Sequence, residues 1–130
     1  VPLGKYPLHQ KLLNDIANNS RTVNIVGSSA LGLGLVASGS ADALVQPLQN
    51  CWDWAAGKTM VEENRGKIVF YEMDPEVEEI TPDTRYITVR PIKCLEPRHY
   101  NPEERAVGFV AGNEKIVDQI MERLLKIKVF

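Results

Sequence analysis

Cysteine, histidine and aromatic residues are all scarce in this 130-residue chain, with two of the first, two of the second and 7% of the third. Cys51 and Cys94 lie far apart, and neither has another Cys or His at a zinc-site spacing. A zinc ribbon is thereby excluded, and reduced, structural thiols are the expectation. No apolar run approaches the roughly 18 to 20 residues of a membrane-spanning helix, and no signal-peptide pattern opens the chain. A soluble, cytoplasmic protein with no membrane partner is expected. A basic block is missing too: 15 basic and 17 acidic side chains are scattered along the sequence and leave a formal charge of -2. That balance argues against a nucleic-acid partner.

What is present describes an ordinary globular domain, with 44% hydrophobic and 25% charged residues in a length that suits one core. Leu8, Leu12, Leu13 and Ile16 share a helical face, which predicts a helix over residues 8–17. Residues 22–26 are β-branched and stop at Gly27, as a short buried strand would. Ser28 and Ser29 cap a predicted helix over 30–37, whose Gly32 and Gly34 allow close packing. A strand is expected over 41–45, closed by Pro47, and a helix from Asp53 to the Asn64-Arg65-Gly66 stop signal. Further strands are expected at 67–71, 86–89 and 106–111. Residues 72–83 read as an acidic, proline-containing stretch that includes a solvated loop, and 91–105 have little periodicity. Asn113 caps a last helix with Val117, Ile120, Met121 and Leu124 on one face, and residues 126–130 read as an edge strand. Strands alternating with helices predict an α/β layered fold with a mostly parallel sheet flanked by helices.

Two stretches could carry chemistry. Gly27-Ser28-Ser29 stands between a strand and a helix, where free backbone N–H groups and the helix dipole favour a phosphate, although serine at a helix start is also a plain cap. Cys51-Trp52-Asp53-Trp54-Ala55-Ala56-Gly57 places a carboxylate at another helix start. Asp53 there either ligates Mg²⁺, a hard cation that prefers carboxylate oxygens, or serves as a cap. Gly32-Leu33-Gly34 lies inside a helix and lacks the third glycine of a dinucleotide fingerprint, which removes a Rossmann reading. His9 and His99 belong to no motif and are assigned no acid or base role.

Taken together, Gly27-Ser28-Ser29-Ala30-Leu31, Val36-Ala37-Ser38-Gly39, Ala41-Asp42-Ala43 and Trp52-Asp53-Trp54-Ala55-Ala56-Gly57 resemble, in order and spacing, the inositol monophosphatase family. Val110-Ala111-Gly112-Asn113 fits that family's closing strand and helix. The similarity spans residues 20–70 and, more loosely, 106–125. It implies a lithium-sensitive, Mg²⁺-dependent phosphomonoesterase, a hydrolase acting on inositol phosphate or a related sugar or nucleotide phosphate. Asp53 matches the family's C-terminal metal ligand, and Gly27, Ser28 and Ser29 match its substrate-facing loop. Gln46 stands where inositol-selective members carry a glutamate that contacts substrate hydroxyls.

The resemblance has departures. The family's Glu-Glu pair and Asp-Pro-(Ile/Leu)-Asp-Gly-Thr motif do not occur here, so residues 1–130 correspond to a single C-terminal domain whose N-terminal metal-binding half is absent. Alone, it is expected to be inactive. The missing half or a second chain is the expected partner, and homo-oligomers are expected from an uncovered apolar face. Glu62-Glu63-Asn64-Arg65-Gly66 replaces the family's Glu-Ala-Gly-Gly, and 72–105 is a divergent, loop-rich segment. A non-catalytic binding or interaction module derived from the same fold is the alternative.

Overall fold

The structure, a computed structural model, describes residues 7–24, 27–75, 86–101 and 107–126. Among these residues four helices, α1 (Pro7–Asn19), α2 (Ser29–Ala37), α3 (Cys51–Glu63) and α4 (Glu114–Lys126), pack around four strands, β1 (Ala43–Gln49), β2 (Lys67–Pro75), β3 (Tyr86–Ile92) and β4 (Val107–Gly112). A 3-10 turn occupies Pro97–Tyr100. The chain is thus α/β, but the mostly parallel sheet is corrected: the strand order is β1-β4-β2-β3, and all three pairings are antiparallel. Alternation along the chain is no guide to direction when a strand returns through a hairpin, as β2 and β3 do, or when β4 inserts between two earlier strands.

The sheet is covered on both faces, and side-chain alternation sorts the two cores. Tyr71, Met73 and Val110 join Leu12 of α1 and Val117, Ile120, Met121 and Leu124 of α4. Phe70, Phe109 and Ala111 point the other way and join Leu33 and Val36 of α2 with Trp54 and Val61 of α3. Every residue of β4, the central strand between β1 and β2, is buried.

Several other expectations are corrected. Residues 22–24 are not in a strand, and Ile25 and Val26 lie outside the described residues. Pro47 does not close β1; it is buried within it, and the ladder's register shifts between Gln46 and Gln49. Such a bulge on an edge strand dispenses with the N–H that proline lacks. β2 continues past the expected end at Tyr71 through Glu72 to Pro75, so the acidic stretch begins as strand; residues 76–85 lie outside the described set. Lys126 ends α4, and the tail predicted as an edge strand is otherwise outside it.

Three glycines set the spacing of the layers. A Cβ on Gly57 would lie 2.7 Å from Leu33 Cβ, so α2 and α3 touch at a point where no side chain fits. On β4, Gly108 faces Tyr71, whose ring carbons would stand 2.5 Å from an added Cβ. Tyr71 therefore lies across β4 and donates its hydroxyl to the Gln46 carbonyl of β1 at 2.8 Å, satisfying a group beside the bulge. Gly112 has φ +148, and an added Cβ would strike the Asp42 carbonyl. That carbonyl accepts the Asn113 N–H at 3.0 Å, and Asn113 Oδ1 accepts the Lys115 N–H at 3.1 Å as α4 begins. Ala41-Asp42-Ala43 and Gly112-Asn113, distant in sequence, are in this way one packed junction.

Candidate functional site

α2 starts as its sequence dictates. Gly27 has φ +75, a conformation glycine adopts without steric penalty, and is exposed. Ser28 is extended, at φ -142, and its Oγ accepts the Leu31 N–H at 3.2 Å as an N-cap. Ser29, the first helical residue, is buried, and its Oγ donates to Gln49 Oε1 at 3.2 Å.

That last bond joins two helix starts. Gln49 ends β1, Asn50 is the N-cap of α3, and α3 opens at Cys51, two residues before the predicted Asp53 start. Asp53 occupies the third helical position, and its Oδ2 accepts the Asn50 N–H at 3.3 Å, the return bond of a capping box. Its Oδ1 accepts no hydrogen bond among the described residues. With Ser29 against Gln49 and Leu33 against Gly57, α2 and α3 run in the same sense and present both N-termini at one end. Partial positive charge and unpaired N–H groups concentrate there.

The structure thus brings Gly27, Ser28, Ser29 and Asp53 into one neighbourhood. Gln46 lies three residues upstream of Gln49 on β1, half-buried, with its carbonyl held by Tyr71. No hydrogen bond among the described residues joins its side chain to Ser29 or Asp53. Exposed Leu31 and Trp52 flank the two helix starts.

Sequence reasoning missed a charged cluster beside α3. Glu72, paired across the hairpin with Arg90, has a side chain only 12% exposed. Its Oε1 lies 2.6 Å from an Arg98 guanidinium nitrogen and 2.9 Å from His99 Nε2, and its Oε2 lies 3.4 Å from Arg90. Burial pushes the Glu72 carboxyl upward, but the hydrogen bonds from His99 and Arg98 and the charges of Arg98 and Arg90 outweigh it and hold it below its ordinary value. His99, buried, accepts the Glu96 N–H on Nδ1 at 2.8 Å. Nδ1 therefore carries no proton, and Nε2–H donates to Glu72. Both nitrogens are engaged, so this imidazole is not placed to shuttle protons. The available signal was the period-two burial of Phe70, Tyr71 and Met73, which, carried to Glu72, points a carboxylate into the α3 side of the sheet.

The same turn reaches α3. Cys51 Sγ donates to the Tyr100 carbonyl at 3.2 Å, and the Tyr100 ring sits 5.2 Å from that of Trp54. Trp54 also packs on Phe70 at 4.9 Å, and its indole N–H has no partner among the described residues.

As a donor set for Mg²⁺, the neighbourhood offers one hard carboxylate with one uncommitted oxygen. It could serve as one ligand of an oxygen shell whose other members lie outside this neighbourhood. No group of three or more His, Cys, Asp or Glu positioned for a metal occurs among the described residues. No helix among them is long and apolar enough to cross a membrane.

Comparison with known proteins points to one family. The model of the inositol monophosphatase family matches residues 6–106. The chain is 38% identical over 71 residues to an inositol-1-monophosphatase of Caulobacter vibrioides, covering 52% of this chain and 28% of that protein. It is 43% identical over 47 residues to inositol monophosphatase 2 of Rattus norvegicus and of Mus musculus, covering 36% of this chain and 16% of each. The chain therefore spans less than a third of the length of these relatives. No solved structure matches. With the family model covering most of its length, the chain belongs to the inositol monophosphatase family.

Proposed function

We propose that this chain is the C-terminal part of a Mg²⁺-dependent phosphomonoesterase acting on inositol phosphate or a related sugar or nucleotide phosphate, with an incomplete active site of its own. The observation that carries the reading is the Ser29–Gln49 hydrogen bond, which sets the Gly27-Ser28-Ser29 turn beside the helix start that bears Asp53. Two helix N-termini attract a phosphate dianion, and the amides of the first turns orient it. Ser28 stiffens one of those turns and leaves its other early N–H groups for a ligand. Asp53 would hold Mg²⁺ through Oδ1. When bound, that ion supplies Lewis acidity toward the phosphoryl oxygens and the developing alkoxide. Gln46 stands for a contact to the substrate's hydroxyls, through an amide rather than a carboxylate. One carboxylate cannot fix a metal cluster, so the remaining ligands come from the N-terminal half or from a second chain. Exposed Leu31 and Trp52 at the site's rim suit a partner surface, a second copy included.

A second reading rests on the cap bond: Asp53 already serves Asn50, a structural duty that a non-catalytic relative would retain. Mg²⁺-dependent phosphate release from a panel of sugar and nucleotide monophosphates separates the two. The protein with its upstream sequence restored is expected to be active and inhibited by lithium, and this chain alone to be silent. Asp53→Asn in the restored protein should lower activity by roughly a hundredfold or more. Silence of both proteins toward every ester would turn the assignment to a binding module, and full activity in Asp53→Asn would overturn Asp53 as the metal ligand.

A further inference from the structure

We propose that Glu72 and His99 are positioning residues for the Asp53 turn, a role assigned to them by three linked contacts. Glu72 of β2 takes the Nε2–H of His99 and a guanidinium N–H of Arg98, at 2.9 and 2.6 Å. His99 closes its own turn by accepting the Glu96 N–H at 2.8 Å, so the 3-10 turn is latched to the sheet at consecutive residues. The turn's last residue, Tyr100, then lies across the first turn of α3, its carbonyl accepting from Cys51 and its ring on Trp54. Cys51 and Trp54 bracket Trp52 and Asp53 in sequence. The turn that carries the candidate ligand is therefore held from one side by the Asn50 cap and from the other by Tyr100.

The energetic logic favours a role in geometry. A nearly buried carboxylate and a buried imidazole are costly to desolvate, and an apolar pair would close the same gap more cheaply. What the charged pair adds is direction: four hydrogen-bonding partners, Glu96, Glu72, Arg98 and His99, define one orientation of the turn. A metal ligand needs placement to within about 0.5 Å, which is the precision such a support provides. The inference rests on the reading of Asp53 as a Mg²⁺ ligand.

The experiment uses the protein with its upstream sequence restored, the form in which the proposed site is complete, with Mg²⁺ alone as the probe. Amide hydrogen exchange is followed at Asp53, whose N–H the Asn50 carbonyl accepts at 2.9 Å, and at Trp54 and, for comparison, in α4, and Mg²⁺ binding is followed by backbone and indole NMR shifts. The variants are His99→Gln, Arg98→Ala and Asp53→Asn. Arg98 is more than half exposed, so its truncation leaves folding intact and carries the test if His99→Gln does not fold. The expected result is faster exchange at Asp53 and Trp54 with α4 unchanged, and Mg²⁺ affinity lowered by about tenfold in His99→Gln and by less in Arg98→Ala. Wild-type exchange in the folded variants overturns the proposal, as does faster exchange with unaltered Mg²⁺ affinity, since the latch would then be structural only. Mg²⁺ shifts that are absent from the wild type, or that persist in Asp53→Asn, defeat the ligand reading itself, and the positioning role with it.

Discussion

The two faces of the sheet are packed by opposite means. On one, α4 lays down a stripe of Val117, Ile120, Met121 and Leu124, with Leu12 of α1 beside it, and closeness comes from side chains filling space. On the other, α2 and α3 approach until Leu33 meets the bare backbone of Gly57, and closeness comes from side chains being absent. α2 is apolar nearly all round, with only Ser29 polar within it, so it has no sharp stripe to present. Both faces bury an apolar core, the first around Tyr71 and Leu124 and the second around Trp54 and Phe109. The second brings two helix N-termini within one hydrogen bond of each other, and the candidate site lies there.

This contrast is broken most sharply by deletion on one face and addition on the other. Leu124→Ala, at a residue 1% exposed, should cost about 2 to 5 kcal/mol, measured as a lower denaturant midpoint with unchanged slope. Its effect should stop at stability, with the NMR shifts of Ser29 and Asp53 unmoved. Gly57→Ala should cost about 1 to 2 kcal/mol, because overpacking against Leu33 outweighs the helix propensity gained. It should also move the shifts of Ser29 and Gln49 as α2 is pushed away. Gly34→Ala is the control: nothing lies within 4 Å of its added Cβ, and up to about 1 kcal/mol should be gained. Equal losses at Gly34 and Gly57 would show that the close approach of α2 to α3 has no special weight.

Acid separates the faces in another way, because Glu72 lies on the α3 side. Its folded carboxyl sits below the ordinary 4.5, so the unfolded chain takes up the proton first. The stability it contributes is fully present above pH 4.5 and is lost as pH falls through the lower folded value. Thermal melts of wild type and Glu72→Gln across that window should converge as the pH falls. If the gap is the same at every pH, the carboxylate's charge is not what holds the 3-10 turn.

Legibility in the sequence follows the same division. The α4 stripe, the Ser28 and Asn113 caps and the stop at Gly66 could be read directly, because each is a local device whose partner lies within a turn of chain. The Gly27-Ser28-Ser29 turn and Asp53 were recognisable as motifs, but the Gln49 side chain that ties them was not, since nothing local marks a hydrogen bond to a residue 20 positions away. Strand direction was misjudged because β4 pairs with both β1 and β2 from the far end of the chain. The Glu72, Arg98 and His99 latch was illegible for a related reason. Residues 72 and 99 are brought together by a hairpin, and prolines in 91–105 masked the short turn between Pro97 and Tyr100.

The smallest expected effect concerns the far end of α3 and isolates stability from the site. Gly66 N–H donates to the Val61 carbonyl at 2.8 Å and Arg65 N–H to Glu62 at 3.2 Å, the paired bonds of a Schellman close. That close requires a left-handed residue at position 65, and Arg65 supplies it at φ 64, where a Cβ is unfavourable. Gly66 itself tolerates no side chain, since a Cβ there would lie 2.7 Å from Val61 Cγ1. Aligning Gly66 with the last glycine of Glu-Ala-Gly-Gly puts Arg65 where that motif has its first. Arg65→Gly should therefore raise stability by about 0.5 to 1 kcal/mol, the relief of strain being partly offset by the greater freedom of the unfolded chain. Because the site lies at the opposite end of α3, the Mg²⁺-induced shifts around Asp53 should be unchanged. A stability gain accompanied by altered Mg²⁺ binding would mean that the two ends of this helix are coupled, and that the close of α3 belongs to the site as much as its start does.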